Sequence, residues 1–378
     1  MLVFILVSFQ ALAQNQPQEN DPKIGLVLSG GGAKGFAHIG VLKVIDSLNI
    51  KIDYVAGTSM GAIIGSLYAS GYTGNQLDSI FRALNFDDVI SDNLPRAAKT
   101  FYERDNSEKY ALTLPFEKFK VKLPSALSRG QNVYNLMSKL TLHVSEINDF
   151  ERLPIPFFCI GTNIETGEPV ILDKGNLAQA VSASSALPSL FQPVTIDDRI
   201  LVDGGVINNY PIDELKAKGM DIIIGVDVQD GLAARENLTT APEILLQINN
   251  YRTISDMKKK AEKTDIYIKP KIDQYSVISF SKGDSIIKSG EYAALEQIDA
   301  LNRLSKYKDA PRPKLQEVVQ DTILVNDIIF EGNDRYTRSY LLGKLKLKSD
   351  SKVSYADFNI GVNNLVATNN FDMFQYEF

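Results

Sequence analysis

Two short apolar runs each lead into a glycine-rich turn and then a helical stretch, and this repeated unit is the strongest constraint in the sequence. Ile24-Gly25-Leu26-Val27-Leu28 enters a turn at 30–35 and a helix through Leu48. Ile52-Asp53-Tyr54-Val55-Ala56 enters a turn at 57–61 and a small-residue helix from Met60 to Ala69, stopped at Gly71. A strand that leaves into a helix returns by a crossover, so strands of this type lie parallel. Further strands are expected at 157–163, 221–228 and 265–268. The alternation predicts an α/β fold, with a mainly parallel central sheet covered on both faces. Residues 85–140 mix charge, aromatics and proline, and read as an insertion or cap over one edge. With 378 residues, 44% of them hydrophobic, the chain can bury a substantial core in two or three domains.

Composition narrows the chemistry. The 40 basic and 46 acidic side chains leave a net charge of −6, which argues against nonspecific nucleic-acid binding. A single cysteine, Cys159, excludes an internal disulfide and any cysteine-rich metal site. The two histidines, His38 and His143, exclude histidine cages and restrict any Ser-His-Asp scheme. The apolar run 2–12 is too short to span a bilayer and closes on Ala11-Leu12-Ala13, so residues 1–13 read as a secretory signal peptide. No Lys or Arg precedes that run, the first being Lys23, which leaves a start upstream of Met1 open.

Three motifs carry chemistry. Gly30-Gly31-Gly32-Ala33-Lys34-Gly35 lies between a strand and a helix, where bare backbone can aim N–H groups at negative charge. Gly30, Gly32 and Gly35 also satisfy a dinucleotide pattern, and Asp53 lies about where a ribose-binding acid is expected. Lys34 precedes the last glycine, so this is not a P-loop. Gly57-Thr58-Ser59-Met60-Gly61 matches GxSxG, the spacing of a nucleophile elbow that exposes Ser59 at the top of a sheet. A serine nucleophile needs a base, yet no histidine follows His143, and His38 and His143 both fall in helical stretches. Asp203-Gly204-Gly205 ends an apolar strand and offers a carboxylate that can act as base directly, if burial raises its pKa.

These three elements in this order resemble the patatin-like phospholipase family, whose signature is a glycine-rich oxyanion loop, a GxSxG nucleophile and an Asp-Gly-Gly base motif. Thr162-Asn163-Ile164-Glu165-Thr166-Gly167 and Ala180-Val181-Ser182-Ala183-Ser184-Ser185-Ala186-Leu187-Pro188 look like the stretch that precedes the catalytic Asp in that family. The resemblance runs over residues 23–305 and implies a three-layer fold. It further implies a dyad of Ser59 and Asp203, and an oxyanion hole formed by Gly30, Gly31, Gly32, Ala33, Lys34 and Gly35. Lys34 stands where many members have Arg, which changes the hydrogen bonding around the loop. The implied reaction is hydrolysis of an acyl ester in membrane phospholipid or another lipid at a membrane surface, with no metal and no cofactor. Competing readings are a dinucleotide-dependent oxidoreductase built on the first glycine motif, and a noncatalytic secreted binding module.

Beyond a proline-bearing linker at 306–320, the tail 321–378 is similar to a POTRA module: a strand at 323–330, helices at 337–344 and 354–366 with Ser354 as N-cap, and a strand beginning at 374. The module looks incomplete, and its family context implies a C-terminal β-barrel in the same full-length chain. With the signal peptide, it implies the outer membrane, periplasm or cell surface of a Gram-negative bacterium. The run Lys258-Lys259-Lys260 reads as a solvated helix face.

Overall fold

The computed structural model describes residues 21–92, 94, 116–117, 120–121, 126–229, 231–232, 235–238, 241–306, 322–333, 335–368, 370–371 and 373–378. The signal-peptide segment 1–13, the linker 306–320 apart from Lys306, and much of 85–140 lie outside the described residues. In chain order the strands of the main domain are β1 (Ile24–Leu28), β2 (Tyr54–Thr58), β3 (Phe116–Glu117), β4 (Lys120–Val121) and β5 (Phe157–Asn163). They continue with β6 (Pro169–Leu172), β7 (Val194–Ile196), β8 (Arg199–Asp203), β9 (Ile222–Val226) and β10 (Ile266–Ile268). One sheet runs β10-β9-β1-β2-β5-β8-β7, with β6 also on β5, while β3 and β4 pair separately.

The sheet is mixed rather than mainly parallel. From β10 to β5 every pair is parallel, whereas β6, β8 and β7 join antiparallel. The reason lies in the connections: β7 reaches β8 through Asp197 and Asp198 alone, both at positive φ, a two-residue hairpin that can only reverse the chain. Apolar side chains alternate between the two faces, as the period of two requires. Leu26, Leu28, Val55, Phe157 and Cys159 face one core, where they meet α1 (Phe36–Ser47) and α2 (Met60–Ala69). Val27, Tyr54, Ala56, Phe158 and Ile160 face the other, which is closed by the helices Ile212–Ala217 and Ala241–Glu262. Two helical layers thus enclose the sheet.

The edge of β5 positions everything that follows. Val55 N donates to Pro156 O and Ile164 N donates to Ile200 O, so even-numbered residues of this stretch face both β2 and β8. Asn163 N, an odd position, instead donates to Glu168 O on the β6 side. β2 and β8 therefore occupy successive stretches of one edge, running toward each other. Thr58 lies opposite Ile160, and Asp203 lies opposite the next residue, Gly161.

The C-terminal unit departs from the expected module. Its strand β11 spans Thr322–Val325, and a second strand, β12 (Ser351–Ser354), lies between the two helices Arg338–Leu345 and Tyr355–Val366 rather than after them. Thr337 and Ser354 cap those helices by accepting from Tyr340 N and Asp357 N. Residues 373–378 form no strand with β11 or β12. They lie along the main domain, where Gln131 accepts from Phe374 N and donates to Phe374 O. The order strand-helix-strand-helix is not that of a POTRA module, and the expectation of a following β-barrel loses its support.

Tyr134, fully buried, donates to Tyr376 O at 2.5 Å and accepts from Tyr376 N at 3.0 Å. Tyr134→Phe strands both backbone groups and is expected to lower unfolding stability by about 1–3 kcal/mol in urea titration. A change below about 0.5 kcal/mol would show that the tail contributes nothing to stability through this contact.

Candidate active site

Ser59 sits where β2 turns into α2, at φ 55° and ψ −123°. A non-glycine residue adopts this backbone only when its surroundings enforce it. Here Gly57 and Gly61 leave room for the turn: a Cβ on Gly57 would overlap Gly61 O, and one on Gly61 would overlap Leu28 O. Ser59 O accepts from Ala62 N and Ile63 N, which starts the helix, and Ser59 N donates to Ser184 Oγ at 3.2 Å. Thr58 Oγ1 ties the end of β2 to Asn208 O at 3.0 Å.

Ser59 Oγ donates to Asp203 Oδ2 at 2.6 Å across 144 residues of sequence. The carboxylate is 3% exposed. Its other oxygen accepts from Gly205 N at 2.7 Å, and Asp203 N donates to Ala186 O. Burial pushes the Asp203 pKa from 3.8 up to about 6, against the opposing hydrogen bonds from Ser59 and Gly205. A group at that value is deprotonated at neutral pH, yet basic enough to accept a proton.

The turn 30–35 lies over the serine: a Cβ on Gly30 would come within 2.9 Å of Ser59 Cβ. Most of its N–H groups are already engaged. Gly30 N donates to Asn209 Oδ1 at 3.1 Å, Ala33 N to Val277 O at 2.8 Å, and Lys34 N to Gly31 O at 3.2 Å. The N–H groups of Gly31 and Gly32 have no hydrogen-bond partner among the described residues. Lys34 is buried, and desolvation lowers its ammonium to about 8, with Asp273 opposing and Lys269 adding to the shift.

Asn209 is the residue that the motifs did not single out. Its side chain both accepts from Gly30 N and donates to Gly30 O at 3.2 Å. Its Oδ1 also borders Gly205, where an added Cβ would come within 2.7 Å. One amide therefore fastens the glycine turn to the chain just beyond the Asp-Gly-Gly turn. It lies six residues beyond Asp203, in no recognisable pattern of its own.

Other candidates fall elsewhere. His38 Nε2 donates to Ser29 O at 2.8 Å, and complete burial lowers its pKa to about 4, so the ring is neutral. His143 Nε2 donates to Ser70 O, past the far end of α2. Neither bonds to Ser59 or Asp203. Asp53 stands at the opposite end of the sheet from the glycine turn, where it accepts from Ile24 N at 2.8 Å and pairs with Lys51. A ribose-binding acid must share the strand end with its glycine loop, so the dinucleotide pattern lacks its partner here.

A family model described as "Patatin-like phospholipase" matches residues 26–216, which include all three motifs. Lysophospholipase nte1 of Aspergillus fumigatus is 29% identical over 319 residues, covering 78% of this chain and 19% of that protein. Lysophospholipase NTE1 of Pyricularia oryzae is 30% identical over 305 residues, covering 74% of this chain and 18% of that protein. The chain thus spans less than a fifth of the length of these curated relatives. Among solved structures, VipD from Legionella pneumophila aligns with a TM-score of 0.43 at 15% identity, covering 74% of this chain and 67% of that one. Human GIVD cytosolic phospholipase A2 aligns with a TM-score of 0.40 at 12% identity, covering 76% and 60%. Because these curated relatives are fungal lysophospholipases, the expected destination in a Gram-negative outer membrane, periplasm or cell surface is withdrawn. Among the described residues, no helix is long and apolar enough to cross a membrane.

The raised Asp203 pKa has a thermodynamic signature. The native state binds more protons than the unfolded state between about pH 4 and 6, so ionising Asp203 costs stability as pH rises through that window. Asp203→Asn removes this cost and is expected to melt a few degrees higher than the unaltered chain above pH 7, with the gap closing below pH 4. Equal melting temperatures at all pH values would mean that the carboxyl is not destabilised by burial.

Proposed function

Because the chain belongs to the patatin-like phospholipase family, we propose that it is a serine acyl-ester hydrolase of the phospholipase A or lysophospholipase type. The observation that carries this reading is the 2.6 Å hydrogen bond from Ser59 Oγ to a buried carboxylate of raised pKa. In the proposed reaction Asp203 takes the Ser59 proton as Oγ attacks the ester carbonyl. The tetrahedral oxyanion is held by the N–H groups of Gly31 and Gly32, the donors of the turn left without a partner. Asp203 then protonates the departing alcohol, and the C–O bond breaks to leave an acyl-Ser59 ester. Water attacks that ester with Asp203 again as base, and fatty acid and free serine result.

Histidine has no part in this scheme. A neutral His38 bonded to a backbone carbonyl braces the end of β1, one residue before the glycine turn. Asn209 acts through the turn: it consumes the Gly30 N–H and fixes which way the next two point. The substrate class, an ester lipid presented by a membrane, rests on family membership and on the relatives' names as lysophospholipases.

Ser59→Ala is expected to abolish hydrolysis of p-nitrophenyl butyrate and of lysophosphatidylcholine with an unchanged fold. Activity within about tenfold of the unaltered chain would refute the assignment. kcat/KM should rise with pH with a midpoint near 6, the value to which burial brings Asp203. That limb should survive in His38→Gln. Asn209→Ala should lower kcat by roughly 10²-fold with little change in KM and no shift of the limb. A rise in KM alone would make Asn209 a substrate-binding group instead.

A further inference from the structure

The helix Ala241–Glu262 is far longer than the strands beside it. Its 22 residues rise about 33 Å, against about 17 Å for the five residues of β9. It connects β9 to its parallel neighbour β10, so it runs against them, with its N-terminus at the catalytic end of the sheet. Buried Thr253 and Met257 mark where it rests on the domain. Gln229 Nε2 donates to Met257 Sδ just past the end of β9, Lys260 Nζ donates to Asn208 Oδ1, and the helix packs against Gly204–Val206. Ile248 and Ile244 therefore stand about 14 and 20 Å farther along the axis than Met257, toward the catalytic end of the sheet.

The outward stripe of this helix changes character along its length. Ile244, Ile248 and Tyr251 are 46%, 54% and 56% exposed. The same stripe continues through Ser255, Lys258, Lys259 and Glu262, all exposed and all polar. Single exposed apolar residues are ordinary, but a stripe that is apolar only where the helix projects is not a solvent face. Other exposed apolar tips share this end of the molecule. Ile278 follows Val277, whose carbonyl holds Ala33 N, and Leu127 N bonds the loop that follows Ala186.

We propose that the projecting half of this helix is a docking arm for a phospholipid surface, which seats the catalytic end against the layer that holds the substrate. This rests on the ester-lipid reading above. The occupant follows from continuity with the Ser59–Asp203 site and from charge: residues 241–252 contain one acid, Glu243, and one base, Arg252, so attachment is apolar and does not select anionic lipid.

The test uses the full chain and phosphatidylcholine vesicles. In a Ser59→Ala background, the double substitution Ile244→Ser with Ile248→Asp should reduce co-sedimentation by roughly tenfold or more. In the active chain it should reduce vesicle hydrolysis by a similar factor while p-nitrophenyl butyrate turnover stays within about twofold. Ser255→Asp, on the polar part of the same stripe, should leave all three readouts unchanged. The proposal is overturned if the double variant sediments normally, or if binding needs anionic lipid and is released by about 0.5 M salt. It is equally overturned if the variant alters only the oligomeric state. Sedimentation of the Ser59→Ala chain involves no turnover, so failure of the hydrolase reading would appear separately, as soluble-ester activity that survives Ser59→Ala.

Discussion

A hydroxyl hydrogen-bonded to a desolvated carboxylate is the interaction around which this chain is arranged. Such a contact is useful only while the carboxylate stays out of water. Solvated, it would return toward the ordinary value for aspartate and become too weak a base to draw a proton from serine. The surroundings of Asp203 preserve the burial. Its backbone is tied to Ala186, one carboxyl oxygen is occupied by Gly205 N, and the other faces Ser59. Burial that would merely cost stability in a structural residue here sets the proton affinity of the site.

Supporting groups fall into two sets that do not exchange roles. Ser184, Asn208 and the neutral His38 secure the backbone of the strand ends. Asn209 and Val277 engage N–H groups of the glycine turn. What they leave open, among the described residues, is the adjacent N–H pair of Gly31 and Gly32. Under the proposed mechanism, donors held in place by the turn need little movement when charge develops beside them.

Much of this was legible in the residues. The apolar runs and glycine turns marked β1, β2 and the elbow, and Asp203-Gly204-Gly205 stood out once histidine was excluded. The antiparallel side of the sheet was not legible, because a buried strand reads the same whichever way it runs; only the Asp197-Asp198 hairpin betrays it. Asp53 misled for a similar reason: its spacing suited a ribose contact, but it lies before β2 rather than after it. Asn209 carries no motif, since its importance comes from meeting Gly30, which is 179 residues away in sequence. In the tail, Phe374 and Tyr376 alternate as a strand would, yet pairing with Gln131 and Tyr134 satisfies their backbone without a sheet.

The shared edge of β5 also governs when Ser59 can meet Asp203. β2 leaves the ribosome carrying its serine long before β8 exists, and the two meet only after β5 has been laid down between them in sequence and beside them in space. A nascent chain that has not yet reached Asp203 holds Ser59 without this hydrogen-bond partner. Closing that contact joins residues 144 apart in sequence, a long-range step that carries a loop-closure cost in chain entropy. The contact thus cannot form until β8 has been made, and under the proposed mechanism a polypeptide halted before Asp203 would have no base for its serine.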